Sequence, residues 1–224
     1  MKNFSILLVI VTVFSALAPV CLAAEATIQL FDGKSLDGWD SYTWVEGKET
    51  NDKIWSVTKE GYLETTGKPF GYLHTKKSYI NYKLTIVWRW KPGAKPTNSG
   101  IFIRMSEKPT SFLTKSIEVQ HKHGAVGDLM AFYGATCKGV KERFWEHENK
   151  LFGKFCGVKK IEDAEKKPGE WNTTVITLKG EDVTVELNGK TVNKATNFKE
   201  EAGQIGLQSE GGPIQFKTVE LTEL

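Results

Sequence analysis

The chain has 224 residues, 30 Lys and Arg against 27 Asp and Glu, 40% hydrophobic content and seven Trp. That length suits one domain with a substantial core. The dispersed, nearly balanced charge reads as a solvated surface and excludes the concentrated basic stripe of a nucleic-acid binder.

Residues 1–24 run from the single basic Lys2 through an apolar stretch, Ile6 to Val20, to the small residues Ala23 and Ala24. This is the pattern of a cleaved secretory signal, with cleavage expected after Ala23 or Ala24. Val20 is too bulky to precede a lipidated Cys21. Removing the segment takes away one cation and no acid, so the net charge falls from +3 to +2. No later apolar run approaches membrane-spanning length. An exported monomer, periplasmic or extracellular, with a single domain over residues 25–224 is the expectation.

From Ala26 onward short alternating runs are separated by Gly, Asn, Asp and Pro, which is an all-β text. Strands are predicted over Thr27–Phe31, Ile54–Val57, Tyr62–Thr65, Tyr82–Trp90, Gly100–Met105, Ile117–His121 and Leu129–Tyr133. Further strands follow over Thr173–Leu178, Val183–Leu187, Ile205–Gln208 and Ile214–Leu221. Lys179-Gly180-Glu181-Asp182 and Asn188-Gly189 read as hairpin turns, the second because both central positions need positive φ. In Tyr82–Trp90, residues Tyr82, Leu84, Ile86, Trp88 and Trp90 face one way while Lys83, Thr85 and Arg89 face the other. Such a strand belongs to an antiparallel sheet covered on one side, and many of them make a sandwich or jelly roll. Lys141 to Phe152, with mixed spacing, reads as a helix or an ordered insertion. Cys137 and Cys156 are expected to form a disulfide in an oxidising compartment, two buried thiols being the alternative.

Two neighbouring runs carry the chemistry: Ser99-Gly100-Ile101-Phe102-Ile103-Arg104 and Ser116-Ile117-Glu118-Val119-Gln120. Alternation sends Ile101, Ile103, Ile117 and Val119 into a core and turns Phe102, Arg104, Glu118 and Gln120 toward solvent on the other face. A carboxylate and an amide two residues apart can touch one ligand, and an arginine opposite could polarise a substrate oxygen. The competing reading is a solvated strand face with a cross-strand ion pair. An ordinary glycosidase needs two carboxylates, and none other lies in strand register with Glu118. His121 belongs by parity to the core side, as a structural histidine. With His123 and Asp128 it is the nearest approach to a metal set, and neither a metal nor another cofactor is expected. Trp39 and Trp171, beside turn residues, are either anchors or sugar platforms.

Several fragments combine into a resemblance: Leu30-Phe31-Asp32-Gly33-Lys34-Ser35-Leu36-Asp37-Gly38-Trp39, Asn98 to Arg104, Ser116 to Gln120, Gly169-Glu170-Trp171-Asn172, and Gly203 to Ile214. As a set, in order along the chain, they resemble the 3-keto-disaccharide hydrolase family. The resemblance implies a concanavalin A-like jelly-roll sandwich of two antiparallel sheets that acts on glycosides oxidised to a ketone at sugar carbon 3. A ketone there acidifies the proton on carbon 2, so a base can remove it and the aglycone on carbon 1 leaves by β-elimination, with hydration completing a net hydrolysis. On that scheme Glu118 is the base or its orienting partner, Arg104 stabilises the enolate oxygen and Gln120 positions a hydroxyl. Gln208 and Glu210, at a strand end before Gly211-Gly212, are the next substrate-binding candidates, followed by Asp128, Lys122 and His123. The expected partner is a 3-keto-glycoside, with no nucleic acid and no membrane insertion. The alternative is a non-catalytic carbohydrate-binding module on the same sandwich.

Overall fold

The computed structural model describes residues 26–45, 48–50, 53–106, 111–150 and 153–224. The secretory signal expected over residues 1–24 lies outside these. Among the described residues there is no helix, and seventeen strands pair antiparallel into two sheets.

The first sheet runs in the order β15 (Lys190–Ala195), β14 (Asp182–Leu187), β13 (Asn172–Lys179), β7 (Tyr82–Trp90), β17 (Ile214–Glu223), β5 (Leu63–Thr65) and β4 (Trp55–Val57), with β1 (Thr27–Phe31) also on β17. The second runs β11 (Phe144–Asn149), β12 (Gly153–Val158), β10 (Leu129–Phe132), β9 (Ser116–Gln120), β8 (Gly100–Met105), β16 (Gln204–Ser209), β6 (Phe70–Thr75), β2 (Trp39–Val45) and β3 (Lys48–Thr50). Between them lies one core. Tyr82, Leu84, Ile86, Trp88 and Trp90 of β7 meet Ile101, Ile103, Ile117, Val119 and Leu207 of the second sheet in that core, as alternation requires. This is the two-sheet jelly-roll sandwich that the strand text predicts.

Both predicted hairpin turns are present. Asn188 and Gly189 have φ of 53° and 82° between β14 and β15, the pair of positive angles a two-residue turn demands. Trp39 proves an anchor, its indole N–H donating to the Leu30 carbonyl at 2.6 Å. The Trp171 ring is covered by the Arg89 guanidinium at 4.2 Å and met edge-on by Tyr62 at 5.0 Å.

Two expectations are decided here, the second as a correction. Residues 144–149 form no helix; they are the ordered alternative, strand β11, paired along its whole length with β12. The strand is mostly exposed, so its polar side chains show no inward stripe. Cys137 and Cys156 are free thiols, both buried, with Sγ atoms 3.5 Å apart against the ~2.05 Å of a disulfide.

Candidate active site

The second sheet has a face turned away from the sandwich core, and it is not bare. Tyr42, Tyr72, Phe102, Met105, Leu113 and Phe132 form a separate buried cluster there, with Phe112 and Trp44 packed against it. Polar side chains on this face are therefore buried where alternation alone places them in solvent: Glu118 is 1% exposed, Gln208 0% and Gln120 6%.

Register brings the central residues together. Phe102 stands opposite Glu118 and Gly100 opposite Gln120 across β8 and β9, while Gly206 and Leu207 of β16 pair with Phe102 and Ile101, placing Gln208 beside Gly100. The Glu118 side chain leans over Gly100. A Cβ built on that glycine would lie 2.2 Å from the Glu118 carboxylate oxygen and 2.7 Å from its Cγ and Cδ, so only glycine leaves the carboxyl this position.

Glu210 follows β16 at a bridge to Asn98. It is close enough to Glu118 for the two carboxyls to repel. Burial raises the Glu118 proton affinity well above the ordinary value, and the negative charge of Glu210 raises it further. Glu210 is also raised by burial, but Asn98, Gln208 and the charge of Lys122 oppose that rise. The pair therefore holds a proton on Glu118 in preference to Glu210. Around it stand polar atoms with no hydrogen-bond partner among the described residues, Glu118 Oε1, Asn98 Oδ1 and Gln208 Oε1, while the Gln208 amide N–H is turned toward Glu210. Buried polar atoms left open in one place are what a ligand would satisfy. Gln120 is held ready, its Oε1 accepting from the Lys122 backbone N–H at 2.7 Å.

Arg104 does not join this group. Alternation fails at Arg104 itself, whose φ is 49°, beside a register shift in the β8–β16 pairing between Gln204 and Gly206. The side chain swings to the end of the sandwich, where its guanidinium donates to the backbone carbonyls of Phe198, Lys199 and Gly180. Met105 takes the next place on the far face and joins the aromatic cluster. Arg104 is a strut between strand ends, and the enolate-stabilising role requires another group.

The remaining predicted residues divide. Lys122 belongs with the pair through its charge on Glu210. Asp128 is engaged elsewhere, its carboxylate accepting the Lys160 backbone N–H at 2.7 Å. His123 pairs with Glu165 at 3.0 Å, and Glu165 also accepts the indole N–H of Trp90 from the opposite sheet, so His123 braces a loop. His121 is structural as expected: it is buried, with Nδ1 on the Val119 carbonyl at 3.0 Å and Nε2 on Thr174 Oγ1 at 3.2 Å. Sequence reasoning missed Asn98 and the role of Gly100, although both stand in the fragment that carries Arg104. Glu210, one of the expected substrate-binding candidates, comes close to Glu118 from the turn after β16, outside strand register with it.

The two antiparallel sheets define a sandwich of the concanavalin-like class, with the buried Glu118 and half-buried Glu210 on its outer face. The sequence profile of the 3-keto-alpha-glucoside-1,2-lyase-like domain matches residues 26–222, and the chain belongs to that family. No curated protein matches the chain in sequence. Among solved structures it is similar to a candidate glycosyl hydrolase of Parabacteroides distasonis, at 20% identity and a TM-score of 0.62 over 89% of this chain and 94% of that one. It is also similar to the carbohydrate-binding module CBM66 of Bacillus subtilis, at 15% identity and a TM-score of 0.56 over 82% of this chain and 94% of that one. The Bacillus licheniformis β-glucanase aligns at 14% identity with a TM-score of 0.53 over 91% of this chain and all of the other.

Proposed function

We propose that the protein is an exported enzyme that cleaves 3-keto-glycosides by removing the proton on carbon 2, expelling the aglycone from carbon 1 and hydrating the product. The observation that carries this reading is the buried Glu118 carboxyl lying over Gly100, with the half-buried Glu210 close enough to repel it and polar atoms left open beside them. Elimination next to a ketone needs one ionised base and one protonated acid at the same time. Glu210, the member more favoured as a carboxylate, takes the carbon-2 proton, and the electron pair passes to the carbon-3 oxygen. When the enolate collapses, the carbon-1 to oxygen bond breaks and the departing oxygen takes the Glu118 proton. Glu118 is thus the acid, where the resemblance cast it as the base or its orienting partner. With Arg104 committed elsewhere, we assign the enolate oxygen to the Gln208 amide N–H, which leans on Glu210 and would turn to the substrate on binding.

Deuterium oxide tests the reading. Product formed from a methyl 3-keto-glucoside should carry deuterium at carbon 2, and Glu118→Gln and Glu210→Gln should each abolish its formation. Cleavage without deuterium at carbon 2 would point to ordinary hydrolysis by flanking carboxylates, which Glu210 makes chemically available. Binding of 3-keto-glucosides by calorimetry without any turnover would point to a binding module.

A further inference from the structure

The hairpin of β11 and β12 lies at the edge of the second sheet, on the same outward face as Glu118. Register makes Trp145, Gly157, Met130 and Glu118 successive positions of one row across β11, β12, β10 and β9. Trp145 lies flat on its glycine partner: a Cβ on Gly157 would be 2.3 Å from the indole Cζ2 and 2.5 Å from Cε2. One face of the ring is thus seated on backbone, and the half-buried indole keeps part of its surface open beside His147, whose ring lies at 32° to it. Phe155 meets the indole edge-on at 5.3 Å and 81°, and His147 flanks it at 5.1 Å. Phe132 stacks on Phe155 at 5.8 Å, which fixes this aromatic floor to the strand next to β9.

The row reaches the surface at both ends. Glu118 and Phe102 are buried, Met130 and Trp145 are half-buried toward the hairpin, and beyond Gly206 the half-buried His74 and exposed Asp40 close the other end. The hairpin end is the one that presents an indole in line with Glu118. Three strand spacings separate β9 from β11, ~14 Å at 4.7–4.9 Å per spacing, which is further than the ring that carries the ketone extends.

We propose that Trp145 is a platform for the leaving group, its open indole surface stacking on the flat apolar face of a distal ring, either a sugar or an aryl group. This rests on the 3-keto-glycoside reading of the Glu118 site and specifies its substrate: a glycoside whose aglycone is extended. A single methyl aglycone would leave the indole uncovered. Trp145 is a specificity-determining residue here and touches no reacting atom.

Calorimetry in a Glu118→Gln background, where turnover is removed, tests the platform. The ligands are 3-keto-glucosides whose aglycone is methyl, one glucose, cellobiose or 4-nitrophenyl. Affinity should rise with the extended aglycones, and adding Trp145→Ala should erase that gain, roughly tenfold for one stacked ring, while leaving the methyl glycoside unchanged. Trp145→Phe, which still covers Gly157, should keep most of the gain and guards against a fold defect. A gain confined to the sugar arm or to the aryl arm identifies the ring the platform takes. Equal affinity for methyl and extended aglycones, or full gain in Trp145→Ala, overturns the proposal. Failure of the elimination chemistry shows up separately, as absence of deuterium in product from the methyl glycoside, whose cleavage does not call on Trp145.

Discussion

Replacing Glu118 by Gln should make the protein more stable at neutral pH while destroying its activity. The carboxyl is buried, one oxygen has no hydrogen-bond partner among the described residues, and Glu210 presses a like charge upon it. Its folded-state proton affinity lies well above the unfolded value, so its stability contribution is full below the ordinary value of 4.5 and is lost as pH rises toward the folded value. Each pH unit above 4.5 over which the folded group keeps its proton while the unfolded chain ionises costs the parent about 1.4 kcal/mol. Glutamine fills the same volume and never ionises, so it escapes this loss. The assay is thermal unfolding of parent and Glu118→Gln from pH 4 to 8. The curves should converge near pH 4.5 and separate above it in favour of the variant, by about 2–4 °C for each kcal/mol. A gap independent of pH, or a parent that gains on the variant as pH rises, would mean that Glu118 is a stabilised carboxylate, and the acid role would fall with it.

Glu210→Gln should lower turnover of 3-keto-glucosides by about 10²–10⁴, the usual worth of a general base, and should shift the Glu118 stability profile toward higher pH tolerance because the repelling charge is gone. Gly100→Ala should keep the fold but push the Glu118 carboxyl aside, since the added methyl would sit 2.2 Å from its oxygen; a kcat within twofold of the parent would refute the placement. Arg104→Met should cost about 3 kcal/mol in denaturant unfolding, because three carbonyls lose a charged donor, with kcat per folded molecule unchanged. A large loss of kcat at unchanged stability would return Arg104 to the reacting centre. His121, pushed down to about 4 chiefly by burial, works in the opposite sense to Glu118. Its stability contribution is full above 6.5 and is lost as pH falls through about 4, up to ~3 kcal/mol, so a non-titrating replacement should flatten the acid limb of the unfolding profile.

The fold was legible wherever a strand is covered on one face only. β7 alternates without exception and every inward residue reached the core. Strand β6 went unpredicted because both of its faces are covered, Tyr72 packing outward and Leu73 inward, and β2 because its polar residues do not alternate: Asp40 and Ser41 are exposed side by side and Tyr42 and Thr43 buried side by side. β11 was missed for the opposite reason, since a hairpin edge with almost no burial carries no apolar stripe.

The site shows a sharper limit. Parity placed Phe102, Glu118 and Gln120 on one face and was right about the face, but parity says nothing of what lies above it, and the aromatic cluster that buries Glu118 comes from strands and a loop elsewhere in the chain. Burial is what turns that glutamate from a solvated carboxylate into a proton holder, so its chemistry was unreadable from its own strand. Arg104 broke parity through one positive φ at a residue type that gives no warning of it. The signals that did exist were glycines. Gly100 is required because a carboxyl lies across it, and Gly157 because an indole does. In a strand, where glycine costs stability and gives no side chain to pack, such a residue marks the place where something else approaches the backbone. Both lie on the row or beside the row that joins Glu118 to Trp145, so these two glycines mark where side chains of the proposed site press against the backbone.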